Sequence, residues 1–304
     1  MKLKKKESLN TARIFFVKLN MRSYPYILVL LFCNLVFSQK KIEQSENQIT
    51  VNYEKQLSDK LIRFDLKDLR KTTDSFNIRI WRNHQVYTLN YADTASSSYK
   101  IVTQGNDAAI GTTIFSSDLS KEIYDKILEK DLNQITGDSY RGIDGSFVYV
   151  ELATPTTYRM VSYWSPYYRN CEKCYTLNTL LEMINKTIDA KKLRNEYLNS
   201  LKPGAYGWGM SGIQIDRFLG SEIKKTDFYT NAEEEIRKEF SITEATNHWE
   251  YPGVVINGKP AKIKDLNLYT NAEVEKFQLL KKEDALNVLY GTLGTHGLIF
   301  LKTK

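Results

Sequence analysis

The chain has 304 residues, 42% of them apolar, and a formal net charge of +7, a length and composition that suit two domains with ordinary cores. Residues 1–38 hold seven Lys or Arg and a single acid, Glu7. Six of the seven net positive charges therefore belong to that stretch; the rest of the chain is near +1 and carries no basic stripe of the kind that binds nucleic acid.

In chain order, Lys2, Lys4, Lys5, Lys6, Arg13, Lys18 and Arg22 form a basic region ahead of the apolar run Ile27–Phe37, which only Asn34 interrupts. With a cut ahead of Gln39, residues 1–38 read as a secretory signal peptide. Met1 and Met21 are both possible starts. The apolar run is about half the ~20 residues of a spanning helix, so no transmembrane span is expected in the mature chain. Phe32 stands before Cys33 where a lipoprotein signal wants a small residue, so lipidation is not expected. The protein is expected to be exported, either periplasmic or associated with the outer membrane.

Residues 39–60 are polar and read as irregular, and Leu57–Leu69 is ambiguous. Phe76–Trp81, Val86–Tyr91 and Tyr99–Thr103 read as strands of an antiparallel meander, divided by Asn83-His84 and the Ser96–Ser98 cluster. Ser117–Lys130 reads as a helix from the four-residue spacing of Leu119, Ile123 and Ile127. After Asp144-Gly145, Phe147–Leu152 and Tyr158–Trp164 read as a hairpin-like pair. Thr176–Leu201 reads as the longest helix, and Gly204–Gly212 as the domain boundary. The predicted class is α+β: an N-terminal domain over residues 45–205, with an antiparallel sheet and helices, and a small α/β domain over residues 221–304. No family is recognised in residues 45–205.

In the second domain, Glu233–Phe240 reads as a helix. Gly253–Ile256 reads as a strand ending at the turn pair Asn257-Gly258, and Val274–Leu280 as a further strand. Lys282–Leu289 places Ala285, Leu286 and Leu289 on one side of a short helix. Gly291, Gly294 and Gly297 follow at a spacing of three, and Leu298–Leu301 closes the chain as a strand buried on both faces. Tyr-Thr-Asn-Ala-Glu occurs at Tyr229–Glu233 and again at Tyr269–Glu273, and residues 221–250 and 261–290 share ten identities at that offset. The reading is either an ancient duplication or convergence on one good turn; two copies are too few for a stacked repeat array.

The stretches VVINGKP, VEKFQLLKKEDA and LYGTLGTHGLIFLKTK together resemble the plug domain of TonB-dependent outer-membrane receptors, especially those that import glycans. Tyr290, Gly291, Gly294, Gly297, Ile299, Thr303 and Lys304 fall on the family's motif positions, over about fifty residues. The resemblance implies a plug-like fold, association with outer-membrane uptake, and a protein partner such as a receptor or envelope protein. A receptor's barrel would follow the plug, whereas this sequence ends at Lys304, so a plug-like domain without a barrel is expected. The motif residues Asn257, Gly258, Tyr290, Gly291, Gly294 and Gly297 are expected to set backbone geometry. Phosphate binding is not expected of a loop that runs from helix to strand, because Gly291 sits where the negative end of the helix dipole would face the anion.

Cys171 and Cys174 form a CxxC pair before the long helix. A thiol at a helix N-terminus has a lowered pKa and suits redox work, while such pairs in exported chains also serve as structural disulfides. Zinc would need two further ligands. Cys33 leaves with the signal and His84, His248 and His296 are scattered, so no metal or cofactor is expected. No nucleophile-and-base motif is present. The aromatics Tyr163, Trp164, Tyr167, Tyr168, Tyr206 and Trp208 could bind a glycan or pack a domain junction. The expected function is that of an exported, non-catalytic binding or structural protein; the alternative is a periplasmic thiol–disulfide protein using Cys171 and Cys174.

Overall fold

The computed structural model describes residues 40–43, 48–104, 109–168, 171–209 and 211–304, apart from the side chains of 48–49 and 285–289. The expected signal peptide, with Cys33, lies outside the described residues. Helices and sheets are mixed, as the α+β class requires. Among the described residues no helix is long and apolar enough to cross a membrane.

A seven-stranded sheet forms the first half. Its strands are β1 (Lys41–Glu43), β2 (Phe76–Arg82), β3 (Gln85–Tyr91), β4 (Ala95–Val102), β5 (Ile110–Ile114), β6 (Phe147–Ala153) and β7 (Thr157–Trp164), in the order β1-β7-β6-β2-β3-β4-β5. Every pairing is antiparallel except β1 with β7. Strict alternation sets the two faces. Ile78 and Ile80 of β2, Val148 and Val150 of β6, and Tyr87 and Leu89 of β3 point to one side. There they pack on α3 (Ser117–Leu128), α4 (Tyr175–Thr187) and α5 (Ala190–Ser200), through residues such as Ile123, Ile127, Leu177 and Leu180. The opposite face carries Trp81, Val86, Val102 and Met160. It is covered by α1 (Gln48–Lys55) and α2 (Leu57–Arg63), from which Leu57 and Leu61 are buried.

Several expectations change. Residues 39–60 are not irregular throughout: they supply β1 and α1. The three β1 residues are exposed and held by backbone pairing, and α1 is polar, so neither shows an apolar period. The Ser96–Ser98 cluster lies inside β4 rather than before it, because Ser97 sits under α3, with its Oγ 2.8 Å from that of Ser120. The long helix is two. Asp189 takes a left-handed conformation (φ 48°) and its carboxylate caps the second helix by accepting from the Lys192 amide. Strand β5 has no counterpart among the expected elements.

Gly204–Gly212, read as a boundary, falls on a two-stranded ribbon, β8 (Gly204–Trp208) with β9 (Ser211–Ile215). The second sheet has the order β11-β10-β13-β12, from β10 (Gly253–Ile256), β11 (Lys259–Ala261), β12 (Val274–Leu280) and β13 (Leu298–Thr303). Strand β13 lies between β10 and β12, parallel to the first and antiparallel to the second. Leu298, Ile299 and Leu301 are fully buried there, as the continuous apolar run suggests. Helix α6 (Asp227–Glu239) starts at Thr226, whose side chain accepts from the Tyr229 amide, and buries Phe228, Tyr229, Ala232 and Ile236 against this sheet. Where Lys282–Leu289 was expected to be helical, the helical turns run instead from Ala285 to Gly294 and are 3-10, broken at Gly291. The Tyr-Thr-Asn-Ala-Glu echo takes two conformations: the first copy lies in α6, the second in the turn ahead of β12.

Polar contacts join the halves. The Asp216 carboxylate accepts from the Ile263 amide at 2.8 Å, Arg217 donates to the carbonyl of Leu201 at 2.6 Å, and Lys262 donates to that of Pro203 at 2.8 Å.

Candidate functional site

The α1/α2 face of the large sheet holds a cleft of about 310 Å³, within the range of ligand pockets. Its position follows from register. Across β2 and β6, Arg79 stands opposite Glu151 and Trp81 opposite Tyr149, so one face presents a charged pair and then an aromatic pair. Phe147, two residues before Tyr149, continues the row. Helices α1 and α2 bring Tyr53, Lys60, Arg63 and Phe64 over it, and the tips Asn83, Gln104 and Ser146 complete the rim.

The aromatic walls lock one another. Tyr53 stacks on Tyr149 with centroids 3.6 Å apart, and Phe64 meets Trp81 edge-on at 5.5 Å. Lys60 Nζ lies 4.7 Å from the Tyr53 ring centroid, a cation–π distance. Burial lowers the Lys60 pKa, and the Arg63 charge beside it adds to this. Burial also pushes the Tyr149 hydroxyl up to about 12, so at neutral pH the rings are uncharged and the cations sit at the rim.

Beneath the cleft is a buried polar network. Glu151 is fully buried and accepts from Trp81 Nε1 at 2.5 Å, Arg79 at 3.3 Å and the Tyr158 hydroxyl at 3.2 Å. Arg79 also donates to Thr88 Oγ1 at 3.2 Å and to the carbonyl of Lys67 at 2.7 Å. A buried ion pair persists only when its remaining donors and acceptors are satisfied, and these bonds fix the indole that forms the cleft floor.

The residues singled out in the sequence lie elsewhere. Cys171 and Cys174 form a disulfide on the far side of the sheet, Cys174 being packed among the helices there. Asn257 (φ 50°) and Gly258 (φ 79°) make the turn between β10 and β11, and the Asn257 side chain bonds both the Thr303 hydroxyl and its amide. Gly291 (φ 56°) and Gly297 (φ 98°) are left-handed; Gly294 is buried at the end of the 3-10 turns, and Tyr290 is half-buried. The six aromatics do not form one surface. Tyr163 and Tyr206 are core residues, Trp164 packs on Phe147, Trp208 packs against His84 with the rings tilted, Tyr167 lies under the Arg82 guanidinium, and Tyr168 is exposed. Burial drives the His84 pKa down to about 4, so it is neutral.

Among known proteins, the chain matches no family model, no curated protein and no solved structure. The cleft geometry therefore carries the functional reading. Its residues were not expected from the sequence, although the alternation Arg79-x-Trp81 and Phe147-x-Tyr149-x-Glu151 put aromatic and charged side chains on one face. A wider, shallower depression of about 760 Å³ lies across Arg82, Tyr167, Glu182 and Lys191. Among the described residues it has no stacked aromatic walls.

Proposed function

We propose that this is an exported, non-catalytic binding protein that takes an acidic oligosaccharide in the cleft between Tyr53, Trp81 and Tyr149, and that its C-terminal half is a plug-like domain working with an outer-membrane uptake partner. The single observation carrying the binding role is the pairing of stacked aromatic walls with the two rim cations, Lys60 and Arg63. Aromatic rings offer flat apolar surface to sugar faces, and a lysine and an arginine at the mouth suit carboxylates. The plug-like reading rests on the resemblance of VVINGKP and LYGTLGTHGLIFLKTK. It agrees with a strand order that puts β13 at the centre of a small mixed sheet.

Calorimetric titration with an oligogalacturonate, and with a neutral oligosaccharide of the same length, tests the binding role. The acidic ligand should bind, weaken with salt, and lose about tenfold or more in affinity in Lys60→Ala/Arg63→Ala at an unchanged unfolding temperature. Equal affinity for the neutral ligand, or for the double variant, refutes it.

The second reading, a thiol–disulfide protein, is favoured by the placement of Cys174 at the start of α4, where the helix N-terminus stabilises a thiolate. The reduction potential separates the two: a structural bridge has a potential below about −300 mV and stays oxidised against milder reductants, and a catalyst cycles at milder values.

A further inference from the structure

Asp138 lies against the disulfide. Its carboxylate and the two sulfurs of Cys171 and Cys174 fall within 4.8 Å of one another. The approach is built into the fold. Gly137 (φ 82°) passes close to β7, with a Cβ there only 3.0 Å from that of Val161, and its amide donates to the Tyr163 hydroxyl at 3.0 Å. The Asp138 amide donates to the carbonyl of Ser162 at 2.8 Å, and the carboxylate is oriented by accepting from the Tyr140 amide at 2.9 Å. Cys174 is fully buried at the head of α4, while Cys171 is partly exposed.

We propose that reduction of the bridge opens a site for a thiophilic divalent cation such as Zn²⁺, ligated by the two thiolates and the Asp138 carboxylate. Two thiolates separated by two intervening residues are a common half of a zinc site. One carboxylate makes three protein ligands and leaves the fourth tetrahedral position for water, the open arrangement from which an ion exchanges. Reduction begins at the partly exposed sulfur: a thiolate reductant attacks Cys171, and Cys174 leaves as the thiolate that the α4 N-terminus stabilises. A second reductant thiol resolves the mixed disulfide, giving two protein thiols and one reductant disulfide. Binding of the cation then releases the remaining thiol protons to solvent. The bridged form offers only the carboxylate, so the metal affinity reports the redox state of the pair.

The experiment uses the full mature chain. Zn²⁺ is titrated against a chromophoric chelator before and after reduction with a phosphine, with circular dichroism recorded on each sample. Reduced wild type should take one Zn²⁺ per chain, and oxidised protein none. Asp138→Asn, whose disulfide remains available to hold the fold until reduction, should bind at least about tenfold more weakly once reduced. Cobalt substitution should give thiolate-to-metal charge-transfer absorption in the reduced wild type. Equal Zn²⁺ binding by reduced and oxidised protein, equal affinity in reduced Asp138→Asn, or loss of the native spectrum on reduction each overturns the proposal.

Discussion

Replacing Glu151 should be the most damaging single change in the large sheet. In Glu151→Ala the Arg79 guanidinium, itself 1% exposed, keeps its charge without its carboxylate, and breaking a buried pair from one side costs about 3–5 kcal/mol. Trp81 Nε1 and the Tyr158 hydroxyl lose their acceptor as well, each adding about 1–3 kcal/mol where no water reaches them. The sum is comparable with the whole stability of a typical domain, about 5–15 kcal/mol, so this variant should be largely unfolded at room temperature. Glu151→Gln keeps the shape, removes the charge, and should lose roughly half as much. The diagnostic variant is Arg79→Met/Glu151→Gln, which removes both charges: it should be more stable than Arg79's partner-less state in Glu151→Ala, because no unpaired charge remains. Urea unfolding of wild type, Arg79→Met, Glu151→Gln and the double variant, followed by fluorescence and circular dichroism, gives the four stabilities of the cycle. A loss under about 1 kcal/mol for Glu151→Ala, or strict additivity of the Arg79 and Glu151 changes, would refute the reasoning.

Three further outcomes are expected. Gly297→Ala should destabilise the C-terminal sheet more than Gly291→Ala. Both are left-handed, but a Cβ at Gly297 meets Phe240 and the carbonyl of Leu280, whereas one at Gly291 meets nothing within 4 Å. Backbone strain alone is about 1 kcal/mol, and hydrogen exchange over residues 253–304 in each variant reads the difference. Cys171→Ser should lower stability by about 2 kcal/mol, the loop-closure value for so short a ring, and leave oligosaccharide affinity unchanged, as denaturant midpoints and calorimetry would show. Burial pushes the Asp216 carboxyl from 3.8 up to about 6, so the folded state holds this proton more tightly than the unfolded chain. Its favourable contribution is complete below pH 4 and is lost as pH rises through about 6. Asp216→Asn should therefore gain on wild type by about 2–3 kcal/mol between those limits; a constant difference in unfolding midpoint contradicts this.

How far the fold was legible depends on where the signal lay. Strands β2 and β6 were readable because Ile78 and Ile80, or Val148 and Val150, alternate with polar or aromatic residues. Helix α3 was readable because Ile123 and Ile127 repeat at helical spacing. Helix α1 was not: it is polar, and it is held by distant partners, Thr50 on Ser162 at 2.8 Å and Tyr53 on Tyr149. The break at Asp189 was hidden because the apolar period runs through it and only a capping carboxylate marks it. The glycine spacing pointed to a loop of special backbone geometry, but it did not name Gly297 as left-handed, and the packing around Gly297 is supplied by Phe240 and Leu280. The cleft and the Asp138–cysteine cluster are products of register and tertiary approach, and no local motif announces either.

Hydrogen exchange with and without an oligogalacturonate tests the binding cleft most directly. Bound ligand should slow exchange over residues 60–64, 81–83, 104 and 145–149, which form the floor and rim around Trp81. Protection centred instead on residues 182–191, beside the wider depression at Arg82 and Tyr167, or no protection at ligand saturation, would contradict the account.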